Sequence, residues 1–182
     1  MLSLRSAALL LLLLAVSLLA HAQDEIPRRQ NYRDGGVLLQ QTVDSMVLQK
    51  AKRRLEVYAG GKLLKYYPVS LGIEPAGRKV MEGDLRTPEG LYRVNDRNAF
   101  SSYHKNLGIN YPSFFDSVYA RILGQSAGGE IKIHGFPNKH RKDQEQELLN
   151  SDWTLGCIAV ADWEIDELYN WVSFMCPILI LP

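Results

Sequence analysis

One cysteine and one histidine in this chain have the residue types and the setting for acyl transfer. Cys157 lies in Ser151-Asp152-Trp153-Thr154-Leu155-Gly156-Cys157-Ile158-Ala159-Val160, and His134, in Ile131-Lys132-Ile133-His134-Gly135, precedes it by 23 residues. A thiol ionises near neutral pH only with help, and imidazole is the usual base. Gly156 lets the backbone turn tightly before the sulfur. It also lets the N–H groups of Gly156 and Cys157 approach a developing oxyanion. The pattern predicts Cys157 as nucleophile and His134 as its base. His140 sits in a charged stretch that reads as exposed, and His104 follows Tyr103, so both are weaker choices for the base. Tyr103, His104 and Trp153, four residues before the sulfur, are expected on the substrate side. No zinc site is expected, because His134, His140 and Cys157 lack a fourth ligand at a familiar spacing. No glycine-rich phosphate loop is present, and no cofactor is expected.

These side chains need a scaffold, and the pattern around them is one of strands. Residues 131–134 read as a short buried strand carrying His134. Val43, Met46, Val47 and Leu48 are apolar. Leu55, Val57 and Ala59 then alternate with Arg54, Glu56 and Tyr58, and Gly60-Gly61 signals a tight turn into residues 62–71. That predicts a β-hairpin. Residues 72–88 are loop-rich, with Asp84 and Thr87 suited to bonding their own backbone. Further strands are expected at 90–94, weakly at 106–110, and in the C-terminal run that Cys176 opens. Cys176 reads as a small buried thiol and not as a disulfide partner of Cys157. A short helix is expected over 112–123, with Val118, Tyr119, Ile122 and Leu123 on one side. A clearer helix runs over 163–174, with Ile165, Leu168, Tyr169 and Val172 at helical spacing and Asp162 as its N-cap. The charged residues 138–151 read as a helical or lid-like insertion. The sum is a mainly β domain, a mixed sheet or sandwich with two or so helices.

Residues 1–22 have a secretory signal pattern: Arg5, an apolar run from Ala7 to Ala20, and Ala20-His21-Ala22 as a cleavage site. Residues 23–41 are a polar linker, and 42–182 form the catalytic domain. Without Arg5 the chain carries 20 Lys+Arg against 20 Asp+Glu, so no global field points to nucleic acid or an anionic membrane. The expected mature chain holds no apolar stretch long enough to span a bilayer. Export puts both cysteines in an oxidising compartment, where a free Cys157 calls for a chemical reason.

Three stretches carry a resemblance. They are Leu55-Glu56-Val57-Tyr58-Ala59-Gly60-Gly61 running into Tyr67-Pro68-Val69-Ser70-Leu71-Gly72, then Gly83-Asp84-Leu85-Arg86-Thr87-Pro88-Glu89-Gly90-Leu91-Tyr92, then His134-Gly135 with Thr154-Leu155-Gly156-Cys157. In this order they resemble the L,D-transpeptidase catalytic domain, or YkuD domain, from about Val43 to Leu181. Tyr103-His104, Tyr111-Pro112 and Asp152-Trp153-Thr154 are most similar to its YafK branch. The resemblance implies a mixed β-sheet fold and action on peptidoglycan stem peptides through a thioester, resolved by an amine of a second stem peptide or of a lipoprotein. It implies Cys157 as nucleophile and His134 as base, with the Gly135 backbone orienting the ring. Gly156 and Cys157 are the implied oxyanion donors, and Thr154 holds the turn. The periplasm is the implied compartment. Two positions depart from the family: Leu155 replaces a common histidine, and Ala159 replaces a common arginine. Two other readings stand beside transpeptidation. One is an amidase that cleaves a peptidoglycan crosslink or a peptidoglycan–lipoprotein link, and the other is a non-catalytic peptidoglycan-binding module.

Overall fold

The computed structural model describes residues 38–182, so the expected signal peptide and most of the linker lie outside the described residues. Strand β1 (Ser45–Gln49) buries Met46 and Leu48 and turns Ser45, Val47 and Gln49 outward, the period-two pattern of a half-buried strand. β2 (Arg54–Ala59) and β3 (Lys62–Pro68) pair antiparallel. Gly60 and Gly61 join them with φ of 55° and 75°, a turn that left-handed glycines make at no steric cost. β8 (Pro177–Leu181) runs parallel to β1 and antiparallel to β4 (Gly90–Ser101), burying Ile178 and Ile180. β5 (His104–Ile109), β6 (Lys132–His134) and β7 (Ile158–Ala159) complete the sheet. The strand order is β3-β2-β1-β8-β4-β5-β6-β7. With three α-helices among the described residues, the molecule is mainly β and built on one mixed eight-stranded sheet.

β4 joins the two halves of that sheet. Residues 90–93 pair with β8, and residues 94–101 pair with β5 through two register shifts. The strand outruns the expected 90–94 because its far half, Asn95 to Phe100, lacks apolar alternation. Ladder bonds to β5 hold it instead, and the Arg97 guanidinium donates to the Tyr169 and Val172 carbonyls. The helix α3 (Asp162–Trp171) packs Ile165 and Leu168 into the main core beside Leu107, Ile133 and Ile158. Its N-cap is Ala161 and not Asp162. The Glu164 carboxylate accepts the Ala161 N–H, and this frees Asp162 to accept the Phe136 N–H.

The helix α1 (Phe114–Ile122) forms where expected, and its apolar side is the exposed one. Val118, Tyr119, Ile122 and Leu123 are exposed, and Asp116 and Ala120 are buried. Polar contacts decide this. The Asp116 carboxylate accepts from Ser113 N–H and Oγ, Tyr92 OH and Arg78. Residues 138–151 hold a short 3-10 turn and the helix α2 (Glu145–Asn150). Leu149 packs with Phe136 and Ala161 in a small second core. His140, expected to be exposed, is half-buried against Phe136 and bonded to the Pro137 carbonyl. No helix among the described residues is long and apolar enough to cross a membrane.

Candidate active site

β6 and β7 lie parallel, with Ile133 opposite Ile158 and His134 opposite Ala159. Both isoleucines are fully buried, each contributing about 2 kcal/mol of apolar burial that fixes the pair. Alternation then puts Lys132 and His134 on the other face of β6. Cys157, one residue before β7, reaches the same face. Cys157, His134, Lys132, Thr154, Tyr103 and Trp153 are among the residues lining one cleft of about 560 Å³.

The turn before the sulfur is held by its own side chains. Thr154 Oγ1 donates to the Cys157 carbonyl at 2.7 Å and accepts the Gly156 N–H at 3.2 Å. Gly156 has φ of 132°, and a Cβ there would lie 2.7 Å from the Arg86 carbonyl oxygen. Only glycine fits such a close approach. The loop that presses on Gly156 is tied down by Asp84, which accepts the Val80, Met81 and Arg86 N–H groups, and by Thr87, which accepts the Gly72 N–H. Asp152 takes the Leu71 N–H and pairs with Arg53 at 2.7 Å. Nothing in the local sequence of Arg53 marks Asp152, 99 residues away, as its partner.

His134 is 5% exposed. Its Nδ1 lies 2.7 Å from the Gly135 carbonyl. A carbonyl only accepts, so Nδ1 carries the hydrogen and Nε2 keeps a free lone pair. A Cβ on Gly135 would sit 2.4 Å from Asp162 Oδ1 and would displace the carboxylate that holds the Phe136 N–H. Tyr103 packs on the imidazole at 4.6 Å between centroids and Trp153 at 5.6 Å. The Trp153 indole N–H donates to the Leu148 carbonyl, so the insertion supports this wall from behind. None of residues 138–151 lines the cleft. His104 is also off the cleft. Its Nε2 pairs with Asp166 Oδ1 at 2.8 Å, toward α3. Leu155 is exposed on the cleft rim, and Ala159 is buried in the ladder. Among the described residues, no group of His, Cys, Asp and Glu is arranged to hold a metal ion.

The electrostatics favour a neutral resting pair. Burial pushes the His134 pKa down to about 4, and the nearby Lys132 charge adds to this against the Gly135 carbonyl. Burial also pushes the Cys157 thiol up, opposed by the backbone N–H and ammonium of Lys132. The thiol donates to the Glu130 carbonyl at 3.5 Å. Burial thus holds both groups toward their neutral forms. Lys132 is a site residue that the sequence motifs do not mark. Its spacing of two from His134 on a strand was the available signal.

Stability should follow the same burial. The unfolded histidine titrates near 6.5 and the folded one at about 4, so the unfolded chain binds the proton first. The His134 contribution is whole above pH 6.5 and is lost as pH falls toward 4, by about 3 kcal/mol. Urea titrations of the wild type and of His134→Leu at pH 7.5 and 4 should show the smaller loss in the variant. Equal losses would put the acid sensitivity elsewhere.

The family model for the L,D-transpeptidase catalytic domain (YkuD) matches residues 43–180. YafK of Escherichia coli strain K12 is 26% identical over 131 residues, which cover 68% of this chain and 45% of that protein. The helical cell shape determining protein Pgp2 from Campylobacter jejuni aligns at TM-score 0.59 and 24% identity, over 82% of this chain and 52% of its own. Bd1075 of Bdellovibrio bacteriovorus aligns at 0.52 and 25%, over 79% and 52%. This chain thus spans about half the length of the proteins it matches. With the matched stretch running from the first bridge residue before β1 into β8 and carrying both cleft strands, the chain belongs to the L,D-transpeptidase catalytic domain (YkuD) family.

Proposed function

We propose that this protein is an exported cysteine acyl transferase that acts on peptidoglycan stem peptides through a thioester on Cys157. The observation that carries the proposal is the pairing of β6 with β7, which sets the His134 imidazole and the Cys157 thiol on one cleft wall. As Sγ attacks an amide carbonyl, its proton passes to His134 Nε2. The Cys157 N–H receives the oxyanion, whereas the Gly156 N–H, expected to share that role, is already given to Thr154 Oγ1. Collapse expels the amine, which takes the proton from His134 and leaves the thioester. A second amine, from another stem peptide or a wall-anchored lipoprotein, attacks the thioester and gives its proton to His134; the C–S bond breaks as the new amide forms, and the released Cys157 sulfur takes that proton back. Thr154 keeps the turn rigid, the Gly135 carbonyl fixes the ring, and Tyr103 and Trp153 form an aromatic wall for substrate. His104 acts only through the β4–β5 turn. Cleavage of the signal after Ala22 would deliver the chain to the periplasm.

One observation favours hydrolysis as the second reading. Residues 138–151 contribute nothing to the cleft lining, so that segment does not keep water from the thioester. The enzyme would then cut a peptidoglycan crosslink or a peptidoglycan–lipoprotein link. Purified crosslinked muropeptides, and a tetrapeptide donor with an amine acceptor, decide the matter by liquid chromatography and mass spectrometry. New dimers support the transferase. Monomers released without new dimers support the hydrolase. No turnover, with a Cys157 that carbapenems do not label, leaves a peptidoglycan-binding module.

A further inference from the structure

Asn106 is an unpaired polar group on the cleft floor. The residue is 4% exposed, and its Oδ1 has no hydrogen-bond partner among the described residues. Its neighbour Asn98 is satisfied locally, accepting the Phe100 N–H at 2.8 Å. In the ladders Asn106 stands opposite Asn98 on β4 and opposite His134 on β6, and all three line the cleft. Directly opposed residues share a sheet face, so they form one row leading to the base. A buried amide without a partner costs stability, and an apolar side chain of similar shape would remove that cost. Such groups in native proteins call for an explanation, and one that lines a cleft has a ready one in a ligand.

Position and chemistry narrow the ligand. Neighbouring strands lie about 4.8 Å apart, so Asn106 is roughly 10 Å across the sheet from the strand that carries the nucleophile. An extended peptide advances about 3.4 Å per residue, so Asn106 meets substrate beyond the reacting carbonyl. A carboxamide both donates and accepts, as a peptide unit does, and its terminal torsion is soft enough to present either end.

We propose that the Asn106 carboxamide reads a peptide amide of the substrate about three residues along from the one that Cys157 attacks. The inference rests on the reading of this cleft as a stem-peptide site. Asn106→Leu tests it. The variant should melt at or above the wild-type Tm. The ratio of its acylation rate by a tetrapeptide donor to that by a carbapenem should fall about fivefold or more, through KM. In parallel, the tetrapeptide is titrated into 15N-labelled Cys157→Ala protein and should move the Asn106 side-chain amide signal. A lower Tm with both acylation rates falling together makes Asn106 a structural group and overturns the proposal. An unchanged ratio overturns it too. If neither compound acylates wild-type Cys157, the transferase reading fails and the titration decides the subsite by itself: a moved amide sustains it, and an unmoved one sinks it.

Discussion

Substituting Cys157 by alanine is expected to abolish the covalent adduct that a carbapenem leaves on the protein, and to lower turnover of stem peptides by more than about 10³-fold. Intact-protein mass spectrometry reads the adduct. The expectation is sharp because the other thiol is a poor substitute. Cys176 is buried where the chain enters β8, does not line the cleft, and has its pKa pushed up to about 11 by burial. His134→Gln should lower acylation by about 10²- to 10⁴-fold. Its residual rate should climb with pH, because a thiol that burial holds above its ordinary value must then ionise unaided. An adduct of undiminished yield on Cys157→Ala would remove the nucleophile assignment. A His134→Gln rate that is flat with pH would remove the base.

Lys79→Met should cost about 3–5 kcal/mol of stability, the penalty of stranding a buried charge. Lys79 and Asp84 are 4% and 5% exposed and pair at 2.7 Å, and the ammonium also donates to the Met81 carbonyl. Burial pushes the Asp84 carboxyl up, but Lys79 and three backbone N–H groups outweigh it and hold the group below the usual carboxylate range. The loop shaped in this way ends on the Arg86 carbonyl that presses against Gly156. Losing the lysine therefore unsettles the turn before the sulfur as well as the fold. Urea unfolding measures the first effect, and carbapenem acylation the second. A Lys79→Met, Asp84→Leu double variant should recover most of the stability, because exchanging both ions for apolar groups is often neutral. A single variant within about 1 kcal/mol of wild type would mean that the pair behaves like an exposed one.

The sequence made some parts of this molecule legible and hid others, for identifiable reasons. The β2–β3 hairpin was readable because Leu55 and Val57 alternate with polar neighbours and Gly60-Gly61 announces the turn. The turn of Thr154, Gly156 and Cys157 was readable because its bonds close within four residues. The far half of β4 was not, since Asn95 to Asn98 show no apolar period and are held by partners distant in the chain. Which face of α1 is buried was not legible, because the buried Asp116, with its four donors, outweighs the apolar stripe. The aromatic wall on His134 draws Tyr103 and Trp153 from segments fifty residues apart, a meeting that only the folded sheet arranges.

The place of β8 bears on how the chain must be made. Residues 177–181 lie between β1 and β4, which come from residues 45–49 and 90–101. A ribosome delivers those two strands long before the piece that joins them, so folding cannot proceed stepwise behind the growing chain. Such distant pairing is slow by nature. Until β8 arrives, β1 and β4 lack the strand that lies between them, and the two parts of the sheet on either side of it have nothing to join them.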